Sequence, residues 1–324
     1  MNLVVTGGAG YIGSVVAELA EGAGHDVLVV DNLQEGNRQA VPKGCEFVEG
    51  HVGDPAVLAK AFGWRPIDAV IHLAAEAAIE FSVTDPGRFF RCNVVEGVAL
   101  LDAMRQHDVK RMIFSSTAAT YGEPHELPIP EDHPQRPINA YGDSKLMFEH
   151  ILRWYRQAYG LRSISFRYFN AAGATRERGE ARKVETHLIP RVLDVALGSR
   201  PAMSVYGTDY NTRDGSCVRD YVHVVDIATA HLLALDAIDR LELGFFNIGS
   251  ETGYTVLEVI KATERVLGRP IATKLEPRRA GDPASLVASA QRVREVLGWK
   301  PRYPALDDII ASAWEFRRTH PHGY

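Results

Sequence analysis

The run Leu3-Val4-Val5-Thr6-Gly7-Gly8-Ala9-Gly10-Tyr11-Ile12-Gly13 constrains this chain more than any other stretch. An apolar strand runs into a glycine turn and then a helix, the arrangement in which a pyrophosphate can touch bare backbone. Gly7 and Gly10 stand where the chain turns sharply and admits the phosphates, and Gly13 lets the helix press against the sheet. The first helical turn offers unpaired N–H groups and a positive dipole end. A helix over 15–23 is followed by a strand from His25 to Asp31, ending in an acid eighteen positions past Gly13. An acid there accepts hydrogen bonds from both adenosine ribose hydroxyls and repels a 2′-phosphate, and Arg38 is too far downstream to compensate. NAD is therefore the expected cofactor. The alternative is that Asp31 only caps the loop Asp31-Asn32-Leu33.

A chain of 324 residues can bury a full core. Its net charge of -5, with no basic block, argues against a nucleic-acid or anionic-membrane surface. No apolar run approaches membrane-spanning length, and Met1-Asn2-Leu3 leads straight into the first strand without a signal peptide, so a cytoplasmic protein is expected. Cys45, Cys92 and Cys217 are widely spaced, which fits reduced thiols in packing roles and gives no metal signature.

Strand and helix keep alternating. Residues 46–50 read as a third strand, and a helix opens at Asp54-Pro55 with proline in its first turn. The stretch 68–75 is apolar on both faces, as a central parallel strand requires, and Ala74 and Ala75 at its end leave room for a ligand. The spacing of Val94, Val98, Leu101 and Met104 predicts one helix over 93–106. A strand over 110–115, a helix over 141–159 and a strand over 163–166 complete an α/β fold, a doubly wound parallel sheet of Rossmann type. From Asn170 the pattern breaks. Residues 176–183 read as a charged surface loop, and a smaller C-terminal α/β substrate-binding lobe follows, with a helix over 187–197, a glycine-containing loop over 207–215 and a turn at 279–283. A helix over 224–237 and a strand over 244–248 are expected to return to the sheet, and a helix over 306–318 to be core. The expected division is a dinucleotide-binding domain over 1–169, with returns from about 224–250, and a second lobe over 170–324.

Tyr141 and Lys145 stand four apart on a predicted helix, which stacks a phenol and an ammonium on one face about 6 Å apart along the axis. A neighbouring positive charge lowers a phenol pKa from its usual value near 10 and makes it a usable base. Upstream, Phe114-Ser115-Ser116-Thr117 supplies hydroxyls just past a strand end, and Thr117 could share the moving proton. A tyrosine and lysine at this spacing also occur by chance, and a serine-threonine run can simply satisfy turn N–H groups.

The glycine run, Phe114 to Gly122, and Tyr141-Gly142-Asp143-Ser144-Lys145 resemble the extended short-chain dehydrogenase/reductase superfamily. Arg167-Tyr168-Phe169-Asn170, Glu185 to Pro190, Asp214 to Val224 and Pro277 to Asp282 narrow the resemblance to the UDP-glucose 4-epimerase family, over the whole chain. The resemblance implies a tightly held NAD, a UDP-hexose substrate and a homodimer joined through the helices around 93–106 and 144–159. It implies Tyr141 as base, Lys145 on the nicotinamide ribose and phenolate, and Thr117 at the sugar O4. For NAD it implies Gly7, Gly10, Tyr11, Ile12, Gly13, Asp31, Asn32, His51, Val52, Leu73, Ala74, Ala75, Asn93, Ser115 and Tyr168, besides Tyr141 and Lys145. For the UDP-sugar it implies Thr117, Asn170, His187, Leu188, Ser204, Tyr206, Arg219, Arg279, Asp282 and Leu286. Arg219 and Arg279 suit a diphosphate, Tyr206 a uracil face and Asp282 ribose hydroxyls. Surface pairing with Asp214, Asp220 or Asp282 is the rival reading of each arginine.

The chain departs from the family pattern at His51, where an aspartate is common, at Ala77, where a lysine is common, and at His187, where some relatives have asparagine. His51 can still accept from an adenine amino group, whereas Ala77 deletes a charge beside the cofactor. Leu286 stands where a tyrosine in some relatives crowds the C2 substituent, which implies room for an N-acetyl sugar. The implied activity is inversion of C4 of UDP-glucose or UDP-galactose, extending to the N-acetyl pair, with no net redox. The alternatives are a 4,6-dehydratase, a pentose 4-epimerase or a non-catalytic NAD sensor. Ala118 and Ala119 fill the positions where a dehydratase needs an acid and a base.

Overall fold

The computed structural model describes residues 1–279 and 283–324. Its centre is a parallel sheet built from β1 (Asn2–Thr6), β2 (Asp26–Asp31), β3 (Glu46–Glu49), β4 (Ala69–His72), β5 (Arg111–Thr117), β6 (Arg162–Tyr168) and one later strand. Between these strands run α1 (Tyr11–Gly22), α2 (Pro55–Phe62), the short α3 (Ile79–Ser82) and α4 (Pro86–Phe90), α5 (Glu96–Gln106) and α6 (Ala140–Tyr159). Helix α2 starts where proline fixes φ at N1 and the Asp54 carboxylate accepts from the Ala56 N–H. Helix α6 is capped by Asn139 and stopped by Gly160 in the left-handed region at φ 71°.

The second lobe contributes β7 (Asn170–Ala172), α7 (Leu188–Leu197), β8 (Met203–Tyr206), β9 (Val218–Arg219) and β10 (Tyr221–His223). After them α8 (Val224–Leu241) and β11 (Leu243–Ile248) return to the large sheet, as the sequence suggests. The remainder is β12 (Tyr254–Thr255), α9 (Val256–Leu267), β13 (Thr273–Glu276), β14 (Ser285–Leu286), α10 (Gln291–Leu297) and α11 (Leu306–Thr319). The sheet order is β11-β6-β5-β4-β1-β2-β3, so the chain reverses direction across the sheet on either side of β1 and leaves a crevice above its carboxyl end. One face is closed by α1 and α8, with Val15, Val16, Ile227 and Ala234 in the core, and the other by α2, α5 and α6, with Leu58, Leu101 and Phe148. Among the described residues no helix is long and apolar enough to cross a membrane.

Several elements differ from the sequence expectation. Helix α1 begins at Tyr11, not Val15, so Tyr11 to Gly13 form its first turn. The single helix expected over 93–106 is a wide π turn, Arg91–Val95, followed by α5; the wide turn interrupts the 3.6-residue periodicity, and Asn93 is fully buried in it. Strand β5 runs two residues further, because Ser116 and Thr117 pair with Arg167 and Tyr168 of β6. Thr117 therefore sits at a rigid strand end.

Candidate active site

The carboxyl ends of β1, β2, β4, β5 and β6 open onto one cleft of about 730 Å³. At its glycine end, Gly7 has φ 71°, and a Cβ there would run into the backbone of Ala74. A Cβ on Gly13 would overlap the carbonyl of Gly7. Gly10 caps α1 without a side-chain hydrogen bond, and no acid stands in the first turn, so the helix end faces the cleft with its donors and dipole unopposed. Asp31 is buried; burial raises its pKa, while hydrogen bonds from the Ala9 and Leu33 N–H groups, 3.0 and 2.9 Å away, hold it down. Lone pairs beyond these two bonds remain for ribose hydroxyls. Ile12, Asn32, His51, Val52, Leu73, Ala74 and Ala75 line the same wall, as does uncharged Ala77. A phosphate cradle that side chains would fill, an open helix end and a buried ribose acceptor together fit a dinucleotide.

At the other end, β5 and α6 face each other in register. Lys145 Nζ donates to the carbonyl of Ser115 at 2.8 Å and lies over the Phe114 ring. It is almost wholly buried, and burial lowers its pKa to about 7. Tyr141 has its pKa raised by burial, while a hydrogen bond with the Thr117 hydroxyl and the charge of Arg182 lower it. Arg182, from a loop the sequence presents as surface, adds its charge to this phenol while pairing with Glu180 at 3.2 Å. Tyr168 donates to His231 Nε2 at 2.6 Å, a direction set by His231 Nδ1, which donates to the carbonyl of Ile227. Behind these groups Ser116 donates to Glu149 at 2.6 Å, and Glu149 forms a buried two-pronged pair with Arg167, at 3.0 and 2.7 Å. Tyr141, Lys145 and Glu149 stand at successive four-residue steps on one face of α6.

Several other expected site residues lie in the same cleft: Tyr11, whose hydroxyl donates to the Gly173 carbonyl, Ser115, Asn170, His187 and Arg279. His187 sits at the start of α7 with Nδ1 2.9 Å from Glu180 and 3.0 Å from Glu185, and these carboxylates raise its pKa to about 9. The three side chains could in principle surround a metal ion, with ligand atoms within 4.8 Å of one another. Here they pair with one another instead, imidazole to carboxylates.

Other residues are placed away from the cleft lining. Asn93 spends its amide on the backbone of Glu76, at 2.8 and 3.0 Å, and on Ser144. Leu188 packs between the two cores of the second lobe. Tyr206 lies under the guanidinium of the cleft residue Arg279, 4.1 Å from its ring centre, and Ser204 bonds the same phenol. Arg219 donates to the carbonyls of Val218 and Pro283. Leu286 packs on the cluster of Ala118, Tyr121 and Ile129, which Phe169 also joins. Asp282 lies outside the described residues. The cleft also contains Gln34, Glu76, Arg88, Ile138, Glu180, Arg182 and Val184, which motif reading misses because all but Arg88, on the short helix α4, come from irregular segments.

Residues 3–249 match the model of the NAD dependent epimerase/dehydratase family. Over its whole length the chain is 46% identical to a UDP-glucose 4-epimerase of Lacticaseibacillus casei, covering 99% of that protein. It is 48% identical to a UDP-glucose 4-epimerase of Streptomyces lividans, with 99% of this chain and 97% of that protein covered. Among solved structures, the UDP-glucose 4-epimerase from Bifidobacterium longum in complex with NAD+ and UDP superposes with a TM-score of 0.95 at 39% identity, covering 100% of both chains. A UDP-Glc/GlcNAc 4-epimerase from Campylobacter jejuni gives 0.86 at 36% identity, covering 98% of this chain and 99% of that one.

Proposed function

The chain belongs to the NAD dependent epimerase/dehydratase family, and on that premise we propose that it interconverts UDP-glucose and UDP-galactose by inverting C4. The reaction is an isomerisation without net redox, and NAD when bound supplies the hydride acceptor and donor. The observation that carries this reading is that Thr117, Tyr141 and Lys145 line the same cleft as Gly7, Gly10 and Asp31. Tyr141 takes the proton from the sugar O4 and returns it, with Thr117 sharing it through their hydrogen bond. Lys145 anchors the nicotinamide ribose and stabilises the phenolate, and the charge of Arg182 acts on the same phenol. Asp31 holds the adenosine ribose and favours NAD over NADP. Asn170, His187 and Arg279 serve the UDP-sugar from the second-lobe side of the cleft, so that 1–169 is the cofactor domain and 170–324 mainly the substrate lobe. A dehydratase is disfavoured because Ala118 and Ala119 carry no proton. Following UDP-galactose by NMR with no added cofactor tests the reading: UDP-glucose should appear, whereas sugar loss matched by NADH would mean a dehydrogenase.

We further propose a homodimer in the cytoplasm. Val95, Met147, Trp154 and Tyr159 are large apolar side chains exposed on or beside α5 and α6, with Trp154 67% and Val95 63% accessible, and patches of this kind mark association surfaces. The cysteines are free thiols, which suits a reducing compartment.

The N-acetyl pair is a proposed second substrate, supported by leucine rather than an aromatic ring at 286. Leu286 packs on the cluster of Ala118, Tyr121 and Ile129, and Ala118 follows Thr117, so a larger ring there would act on the sugar end of the cleft through that cluster. Leu286→Tyr is expected to lower kcat/KM for UDP-N-acetylglucosamine selectively, by about 10–200-fold, the range for small steric changes in a pocket. An equal loss on both sugar pairs, or no N-acetyl turnover by the natural protein, contradicts it.

A further inference from the structure

The sheet order places β1 between β2 and β4, so a side-chain bond between the loops that follow β2 and β4 spans the strand whose carboxyl end carries the glycine turn. Such a bond exists. Gln34, three residues past Asp31, donates from Nε2 to Glu76 Oε1 at 2.8 Å, and Arg88 of α4 donates to the same oxygen at 2.7 Å. Both ends are anchored. The backbone of Glu76 is held by the amide of buried Asn93, which also bonds Ser144 of α6. On the other side, the Gln34 N–H donates to the Asn32 side chain, and its carbonyl accepts from Lys183 at 2.7 Å. Gln34, Glu76 and Arg88 all line the cleft.

From this crossing we propose that Gln34, Glu76 and Arg88 form a strap over the pyrophosphate cradle, so that a dinucleotide enters or leaves only when the Gln34–Glu76 bond opens. The inference rests on the reading that this cleft holds NAD. It gives the chain a means of retaining cofactor where Ala77 offers no charge to do so, and it gives Glu76 a role opposite to the one Coulomb's law alone would assign. An acid facing an anionic cofactor should hasten release, and its removal should slow it. As a strap, its removal should hasten release.

Exchange of bound NAD for isotopically labelled NAD, followed by mass spectrometry of the nucleotide freed on denaturation, separates the two. Gln34→Ala breaks the bond and leaves the charge in place; Glu76→Ala removes both. Exchange should quicken about tenfold or more in each, the effect of losing one hydrogen bond to a charged group. UDP affinity, measured in parallel, should stay at the natural value and so report an intact fold. Unchanged exchange in Gln34→Ala, or slower exchange in Glu76→Ala, overturns the strap while leaving the cofactor reading intact. A natural protein that takes up no NAD overturns both.

Discussion

Tyr141→Phe is expected to lower kcat by about 10²–10⁴-fold, the range for loss of a positioned acid-base group, while UDP binds as before. The substitution keeps the ring, and with it the edge contact to Phe89 at 6.4 Å between centroids, so the core around α6 is not reshaped. What disappears is the hydroxyl that pairs with Thr117 and feels the charge of Arg182. Burial pushes that phenol toward its neutral form and the two polar neighbours pull it back, so its basicity depends on Thr117 and Arg182 being in place. Steady-state kinetics on UDP-galactose, with UDP affinity measured alongside, checks the prediction. A variant with near-natural kcat removes Tyr141 from the proton path.

Arg167→Met is expected to destabilise the protein by about 3–5 kcal/mol, because it leaves the Glu149 carboxylate buried without its partner. Neither side chain reaches water, at 2% and 0% exposure. Glu149 would retain Ser116 and a long contact from Gln135, 3.3 Å away, which do not replace a two-pronged guanidinium. Arg167 also donates to Tyr121, whose hydroxyl donates to Asn247, so the loss spreads into β11. The double variant Arg167→Met, Glu149→Leu should lose less than the sum of the two single changes, because no charge is stranded. Denaturant unfolding of the three variants measures this. Strict additivity would show that the two side chains act independently.

Much of the fold was legible because the parallel strands are apolar on both faces and separated by capped helices. The glycine turn and Asp31 were readable because each needs a particular residue for a particular backbone or ligand group. Tyr141 and Lys145 were legible from helical spacing, but the approach of Arg182 was not. Spacing places two groups on one face and says nothing of what approaches from another segment. Arg182 arrives from an irregular stretch whose position depends on tertiary ties such as Arg178 to Glu18 and Asn37 to Ala181. The π turn at Arg91–Val95 was hidden for a related reason, since the apolar residues around it still suit an ordinary helix. The partners of buried Asn93, the backbone of Glu76 and the hydroxyl of Ser144, were likewise hidden, because they come from other segments.

C4 is inverted by removal and return of one and the same hydrogen. UDP-galactose carrying deuterium at C4, incubated with the protein and no added cofactor, tests this most directly. UDP-glucose should form with the deuterium still at C4 and without accumulation of NADH. Loss of deuterium to solvent from the product, or NADH formed in proportion to the sugar consumed, contradicts it.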